Sequence, residues 1–219
     1  MKAFMADLFA GVVLLFARAI TAVRAIWDEN GPPRRQSIYF ANHASHGDFI
    51  LIWAVLPPRL RRRVRPVAGA DYWLKSPLRR FIGQDVFNAV LIQRVREERD
   101  NDPIEIMAEA LDEHASLIFF PEGTRNQTDL PLLPFKTGLF HLASARPDVD
   151  LVPVWIANLN RVMPKGEFVP VPLICTTTFG APLRLQAGED KEAFIERAQA
   201  ALLALAPKAE GPKVEGNAQ

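Results

Sequence analysis

The sequence predicts an α/β fold, in which one domain holds a mixed, mostly parallel sheet flanked by helices. Short apolar runs of strand length alternate with segments of helical length, and this alternation is typical of parallel sheets. The chain has 219 residues, which fits one domain with a single core. Hydrophobic residues make up 49% and charged residues 23%, a globular composition that excludes intrinsic disorder.

The N-terminal segment, residues 1–30, is predicted to be helical and to associate with a membrane. Met1–Trp27 is strongly apolar, but its longest uncharged run, Leu8–Ala17, has ten residues. A helix that spans a bilayer needs about 20. Asp7 also fits a secretory signal poorly. A helix lying in the membrane interface is therefore favoured, with an amphipathic helix packed on the core as the alternative.

The rest of the chain is predicted to form one domain over residues 31–206, followed by a tail over 207–219 that is predicted to be disordered. Proline and glycine after residue 30 separate this domain from the N-terminal segment. Apolar runs predict strands at Ser37–Phe40, Val64–Ala68, Ala89–Arg94, Leu117–Phe120, Leu151–Ala157 and Ile174–Phe179. Helical segments between and after them are Phe49–Leu56, Tyr72–Ile82, Pro103–His114, Thr137–Ala145 and Lys191–Leu205.

Charge is distributed unevenly along the chain. Residues 1–100 carry 16 Lys and Arg residues against 9 Asp and Glu residues, although the net charge of the whole chain is only +1. A positive half favours anionic partners. The single cysteine, Cys175, excludes an internal disulfide and a cysteine-cluster zinc site, and it indicates a reducing compartment.

The first candidate site is the segment Asn42–Asp48, between a predicted strand and a predicted helix. His43 is suited to proton exchange near neutral pH, and a carboxylate such as Asp48 could orient its ring. A five-residue separation places two side chains about 140° apart on a continuous helix, so pairing requires His43 in the loop and Asp48 in the first helical turn. Alternatively, Ser45 and Asp48 form a capping box that starts the helix at Ser45. A metal site of His43, His46 and Asp48 has weaker support from spacing, and no metal is expected.

The second candidate site begins with Glu122, directly after a predicted strand. Arg125 offers a planar fork for phosphate, and Gly123 allows a ligand to approach the backbone. Lys136 precedes a predicted helix, where an anion is also favoured. The alternative is a turn with a surface salt bridge between Glu122 and Arg125. Arg94 joins these residues only if the carboxyl ends of the strands converge.

In order and spacing, these segments resemble the four motif blocks of the glycerophospholipid acyltransferases, and the chain is similar to the bacterial 1-acyl-glycerol-3-phosphate acyltransferases among them. The resemblance covers residues 35–182. The matching blocks are Asn42-His43-x-Ser45-x-x-Asp48, Arg94, Phe120-Pro121-Glu122-Gly123-Thr124-Arg125 and Val152-Pro153-Val154. The resemblance implies transfer of a fatty acyl group from a thioester to the free hydroxyl of 1-acyl-glycerol-3-phosphate, which gives phosphatidic acid.

The resemblance also implies residue roles. His43 would be the general base, and Asp48 would orient it, with direct attack by the acceptor hydroxyl and no acyl-enzyme. Substrate-binding residues would be Arg94, Glu122, Gly123, Thr124, Arg125 and Lys136. It implies no cofactor: the co-substrate is acyl-CoA or acyl carrier protein, the acceptor is a lysophospholipid, and the enzyme works on the cytoplasmic face of the cell membrane.

Two departures from the family pattern keep other acceptors open. Many members carry a lysine ahead of the second block, where this chain has Gly69-Ala70-Asp71, and a basic pair after the third block is here Lys136-Thr137. The alternative acceptor is another lysophospholipid or a lyso-aminolipid. Alternatives of other classes are a metal-dependent phosphoesterase using His43, His46 and Asp48, and a lipid-binding protein without catalysis.

A run of arginines and two histidines lie outside these blocks. The run is interpreted either as a solvated basic loop or as a contact for anionic headgroups or the phosphates of an acyl donor. Nucleic acid is not an expected partner, because no recognised nucleic-acid-binding module accompanies the run. His114 and His141 are interpreted as ordinary helix residues. The arginines of the run are Arg59, Arg61, Arg62, Arg63 and Arg65.

Overall fold

The structure, a computed structural model, describes residues 2–45, 47–93, 102–157 and 175–207. Its strands are β1 Arg24–Ile26, β2 Ser37–Ala41, β3 Val64–Gly69, β4 Val90–Ile92, β5 Ser116–Phe119, β6 Asp150–Ala157 and β7 Thr176–Phe179. Its helices are α1 Lys2–Thr21, α2 Asp48–Val55, α3 Pro58–Arg61, α4 Ala70–Trp73, α5 Pro77–Arg80, α6 Pro103–Asp112, α7 Gly138–Ala145 and α8 Lys191–Leu203, with a π-helix at Phe81–Val86 after α5.

The seven strands form one sheet in the order β1-β7-β6-β2-β5-β3-β4. Every neighbouring pair is parallel except β6 and β7. The central strand β2 is buried over its whole length, as expected for a strand with covered faces on both sides. The predicted fold class, a mostly parallel sheet flanked by helices, is confirmed.

Two apolar layers cover the sheet, and β2 contributes to both because its side chains alternate between faces. Ile38 and Phe40 belong to a core that includes residues of α6, α7 and α8. Tyr39 and Ala41 belong to the opposite core, which includes α2 and the buried side of α1. The sheet is therefore held on both faces, and its strand ends are fixed in position.

The predicted helix Tyr72–Ile82 is wrong as one element. The chain instead forms α4, then α5, then the π-helix. Ser76 interrupts the helix, since its hydroxyl accepts a hydrogen bond from the Arg79 N–H at 3.3 Å and Pro77 occupies the first turn of α5. The remaining predicted helices and strands agree with the structure to within about two residues, except that parts of Ala89–Arg94 and Ile174–Phe179 lie outside the described residues.

The predicted helical segment 1–30 is wrong beyond Thr21. Ala22 adopts a φ of 40°, which turns the chain, and the next residues form the edge strand β1 alongside β7. The Arg24 N–H donates to the Cys175 carbonyl at 3.0 Å. A three-residue strand shows no periodicity of its own, so only its distant partner defines it.

Helix α1 packs against α2 and the π-helix on one side and is exposed on the other. It has 20 residues, and an 18-residue window within it has a mean hydropathy of 2.0, so by length and composition it could cross a membrane. Six large apolar side chains on α1 are more than half exposed: Phe4, Met5, Leu8, Val12, Leu15 and Phe16. At 100° per residue these positions fall on one face of the helix.

Candidate active site

A cleft of about 780 Å³ opens at the carboxyl ends of β2, β3, β4 and β5. Parallel sheets commonly bind ligands at this edge, where the loops that follow the strands converge. The loop after β2 and the loop after β5 carry the two candidate sites found in the sequence. Polar lining side chains include His43, Gln93, Lys136, Thr137 and His141.

His43 lies in the loop after β2, with its ring held from two directions. Its Nδ1 is 2.8 Å from Asp48 Oδ2. Its ring stacks on Phe120 with centroids 4.2 Å apart and an interplanar angle of 21°. With Nδ1 occupied as the donor to a carboxylate, Nε2 is the ring nitrogen that carries the free lone pair.

Asp48 is the first residue of α2, and its side chain is only 1% exposed. Besides His43, Oδ2 accepts hydrogen bonds from the Ala44 N–H at 2.7 Å and the Ser45 N–H at 2.8 Å. The pairing with His43 and the capping contact, which were alternatives from the sequence, are therefore made by one oxygen. The predicted helix start at Ser45 is wrong: α2 begins at Asp48, since the Ser45 hydroxyl accepts from the Gly47 N–H instead.

Glu122 is buried, and both of its oxygens accept hydrogen bonds from backbone groups. Oε1 accepts from the His43 N–H at 2.7 Å, and Oε2 accepts from the Leu133 N–H at 3.0 Å. Burial raises the pKa of Glu122, and the two backbone hydrogen bonds oppose that rise. The carboxylate thus joins the loop after β2 to two parts of the loop after β5.

Gly123 and Lys136 lie against each other at the wall of the cleft. Gly123 has a φ of 69°, and a Cβ at this position would lie 2.8 Å from Lys136 Cδ. The Lys136 N–H donates to the Pro121 carbonyl at 2.8 Å, which holds the lysine at the start of α7. Lys136 therefore places an ammonium group and a helix N-terminus on the same wall.

The remaining predicted site residues either do not line the cleft or lie outside the described residues. Thr124 is exposed and Arg125 is half-buried, and neither lines the cleft. Arg94 and His46 lie outside the described residues. Within the described ranges, no three His, Cys, Asp or Glu side chains cluster as metal ligands.

His141 lines the cleft, although the sequence interpretation assigned it no site role. It lies one turn into α7, five residues after Lys136, so the helix carries it to the same edge of the sheet. The sequence signal that could have indicated His141 as a site residue was its position in the helix that follows Lys136.

Cys175 is buried and is not a candidate nucleophile. Burial, together with the nearby negative charge of Asp48, raises the pKa of its thiol to about 11. At neutral pH the thiol therefore stays protonated and unreactive.

Comparison with known proteins places this cleft in a family context. The Acyltransferase family model matches residues 23–157, a range that includes both loops of the cleft. A 1-acyl-sn-glycerol-3-phosphate acyltransferase from Chlamydomonas reinhardtii is 32% identical over 160 residues, covering 70% of this chain and 45% of that protein. Another from Haemophilus influenzae is 30% identical over 138 residues, covering 58% of this chain and 52% of that protein. The chain spans about half the length of these relatives.

A solved structure gives an independent comparison of the fold. The 1-acyl-sn-glycerophosphate acyltransferase PlsC from Thermotoga maritima superposes with a TM-score of 0.67 and 22% identity, covering 91% of this chain and 79% of that one. The matching sheet extends the likeness beyond the range of the family model. Because the family model matches residues 23–157, which include most of the sheet, the chain belongs to the Acyltransferase family.

Proposed function

We propose that this chain is an acyltransferase that moves a fatty acyl group from a thioester to the free hydroxyl of 1-acyl-glycerol-3-phosphate, giving phosphatidic acid. The observation that carries the proposal is the His43 Nδ1–Asp48 Oδ2 contact of 2.8 Å at the wall of the cleft. Relatives that bear the name of this activity support the choice of reaction.

His43 serves as the general base in the proposed mechanism. Its Nε2 accepts the proton of the acceptor hydroxyl while that oxygen attacks the thioester carbonyl. A C–O bond forms, the tetrahedral intermediate collapses, and the C–S bond breaks. His43 then returns the proton to the departing sulfur, so the thiol leaves neutral. Asp48 stabilises the imidazolium between these steps and keeps the ring oriented.

No protein nucleophile is required, because the acceptor hydroxyl reacts directly. The protonated Cys175 thiol is consistent with this, since a thiol without thiolate character does not form an acyl-enzyme. The acyl donor is acyl-CoA or acyl carrier protein, and the reaction uses no cofactor or metal.

Lys136 and the N-terminus of α7 bind the acceptor phosphate in this proposal. The support is that Lys136, Thr137 and Gly138 line the cleft together with His43. Gly123 contributes by leaving room for the lysine side chain. Glu122 acts differently from its predicted ligand role, because its two oxygens already accept backbone hydrogen bonds; it positions the loop. Arg94, Thr124 and Arg125 remain candidate ligands.

Another lysophospholipid or a lyso-aminolipid is the second candidate acceptor. Gly69, which lines the cleft, stands in the segment where many family members carry a lysine. The wall at this point therefore offers no charge of its own, and a less anionic headgroup is compatible with it.

Membrane association through α1 completes the proposal. Its exposed apolar face would cost free energy in water, at about 25 cal/mol per Å² of apolar surface. Placing that face in the cytoplasmic leaflet of the cell membrane removes this cost and brings the cleft close to the lipid acceptor.

The test is acyl transfer by the purified protein in detergent. Radiolabelled oleoyl-CoA and palmitoyl-CoA are each offered with a panel of lysophospholipids, and His43→Ala is assayed alongside. Labelling of lysophosphatidate that His43→Ala abolishes supports the proposal, whereas labelling of another acceptor supports the second candidate. Absence of transfer from both CoA and acyl carrier protein donors, with lysolipid binding intact, would favour a lipid-binding protein without catalysis.

A further inference from the structure

A second cavity, of about 690 Å³, lies at the opposite edge of the sheet from the cleft. Its lining residues precede or begin β2, β3, β4 and β5, whose amino ends lie at one edge because these strands are parallel neighbours. The cleft lies at the carboxyl ends of the same strands. A five-residue strand rises about 3.3 Å per residue, so the two sites are about 15 Å apart. The cavity is therefore a separate site.

The cavity is strongly basic. Five of its lining residues are arginines: Arg34, Arg35, Arg62, Arg63 and Arg65. Its one acidic lining residue, Glu113, forms an ion pair with Arg65 at 2.8 Å. The other four guanidinium groups form no hydrogen bond or ion pair within the described parts of the chain. The cavity thus holds four uncompensated positive charges.

Backbone and side-chain hydrogen bonds hold the two pairs of arginines in place. The Ser116 N–H donates to the Arg63 carbonyl at 2.8 Å, which ties the segment before β3 to β5. Next to Arg35, the Gln36 amide donates to the carbonyls of Leu111 and Ala115, at 2.6 Å each. Both arginine pairs therefore extend from anchored backbone on either side of β5.

We propose that this cavity binds a phosphate-bearing anion. A guanidinium group donates two parallel hydrogen bonds to a phosphate, and arginines from two segments enclose one from two sides. Without an anion the four like charges repel each other, and a bound phosphate relieves that repulsion. Among the residues that the structure describes, no carboxylate or backbone carbonyl accepts a hydrogen bond from these four groups, which leaves them available for a ligand.

The phosphate has two possible sources with the same chemistry. One is the headgroup of an anionic lipid, and the other is a soluble phosphorylated molecule. The cavity lies next to α1, and this position favours the lipid headgroup. Arg18 of α1 and Arg61 of α3 both donate to the Ala54 carbonyl, at 3.1 and 3.3 Å. The segment that carries Arg62 and Arg63 therefore lies beside the C-terminal part of α1.

The test compares two arginines that are close in sequence but differ in position. Both side chains are exposed, but Arg62 lines the cavity and Arg59 lies on α3 outside it. Arg59→Glu makes the same charge change as Arg62→Glu. Binding of inorganic pyrophosphate is measured by calorimetry on the full chain in detergent. Binding to vesicles is measured by sedimentation, with phosphatidylcholine alone and with phosphatidylcholine and phosphatidylglycerol in equal parts.

We expect Arg62→Glu to weaken binding about tenfold more than Arg59→Glu, the loss expected for one charge-assisted hydrogen bond. A selective loss with pyrophosphate assigns a soluble ligand, and a selective loss confined to phosphatidylglycerol vesicles assigns a lipid headgroup. Equal losses in both variants, or no anion binding by the parent protein, overturn the proposal. Arg62→Gln gives a second comparison that does not introduce a negative charge, and circular dichroism confirms folding.

Discussion

The Glu122 carboxylate accepts a hydrogen bond from the backbone N–H of His43 at 2.7 Å, although the two residues are 79 positions apart. Its other oxygen accepts from Leu133. One buried side chain therefore sets the distance between the loop that carries the proposed base and the loop that carries Lys136. The two motif blocks function as a unit because this carboxylate connects them.

Replacing Glu122 with alanine should destabilise the protein and lower kcat together. Two partly buried N–H groups would lose their acceptor, at a cost of up to about 1–3 kcal/mol each. Glu122→Gln keeps one carbonyl acceptor and should cost less. Urea unfolding and steady-state kinetics on both variants check this. If Glu122→Ala retained full stability and kcat, the carboxylate would not be organising the loops.

The raised pKa of Glu122 predicts a pH dependence of its contribution to stability. A folded-state pKa above the unfolded value means that the folded protein binds the proton more tightly. Between those two pKa values the unfolded carboxyl ionises first, so the free energy of unfolding falls as pH rises through this window. Relative to Glu122→Gln, which does not titrate, the parent protein should lose stability from about pH 4.5 upward. Urea midpoints measured over this range test it, and a relative gain with rising pH would contradict it.

Gly123→Ala should raise the KM for the acceptor and reduce stability. The residue has a positive φ, and the new methyl group would meet Lys136 Cδ at 2.8 Å. The backbone strain alone costs about 1–2 kcal/mol. Gly188→Ala is the matched control, since Gly188 has a φ of 76° but no atom within 4 Å of its Cβ position. A KM effect of equal size in both variants would show that Lys136 displacement is not its cause.

Substituting Leu15 and Phe16 with serine should weaken vesicle binding without unfolding the protein. Their side chains are 72% and 65% exposed, so little packing is lost in solution. Burying each of them in lipid contributes about 2 kcal/mol, so the double variant should bind at least tenfold more weakly. Leu130→Ser, at a residue that is 59% exposed outside α1, is the control. Equal weakening by Leu130→Ser would remove α1 from its proposed membrane role.

Local patterns predicted the parts of the fold that depend on local chemistry. The strand β2 and helix α2 follow from an apolar run, a polar loop and a second apolar run. The same arrangement indicated His43 and Asp48 as candidate site residues. The Ser76-Pro77 pair indicates a helix break, but the apolar residues on both sides favoured one continuous helix in the prediction. The strand β1 was not predictable locally, because its three residues depend on β7, more than a hundred positions away.

The sequence predicted which residues lie at the site better than it predicted the role of each one. Asp48 satisfies both of its sequence interpretations because one oxygen has room for three donors. Glu122 looked like a ligand, yet its burial and its two backbone partners belong to the tertiary structure. His141 reaches the cleft only because α7 begins at the carboxyl edge of the sheet. For Glu122, spacing along the chain does not contain this information.

The most direct test of the account is a single-turnover acyl transfer with radiolabelled oleoyl-CoA and 1-oleoyl-glycerol-3-phosphate. The account predicts labelled phosphatidic acid from the parent protein, a rate about a thousandfold lower for His43→Ala, and no label on the denatured protein when the acceptor is omitted. His43→Ala should keep the parent unfolding curve, which separates loss of the base from loss of the fold. Label retained on the protein, or a His43→Ala rate equal to that of the parent, would contradict direct transfer with His43 as the base.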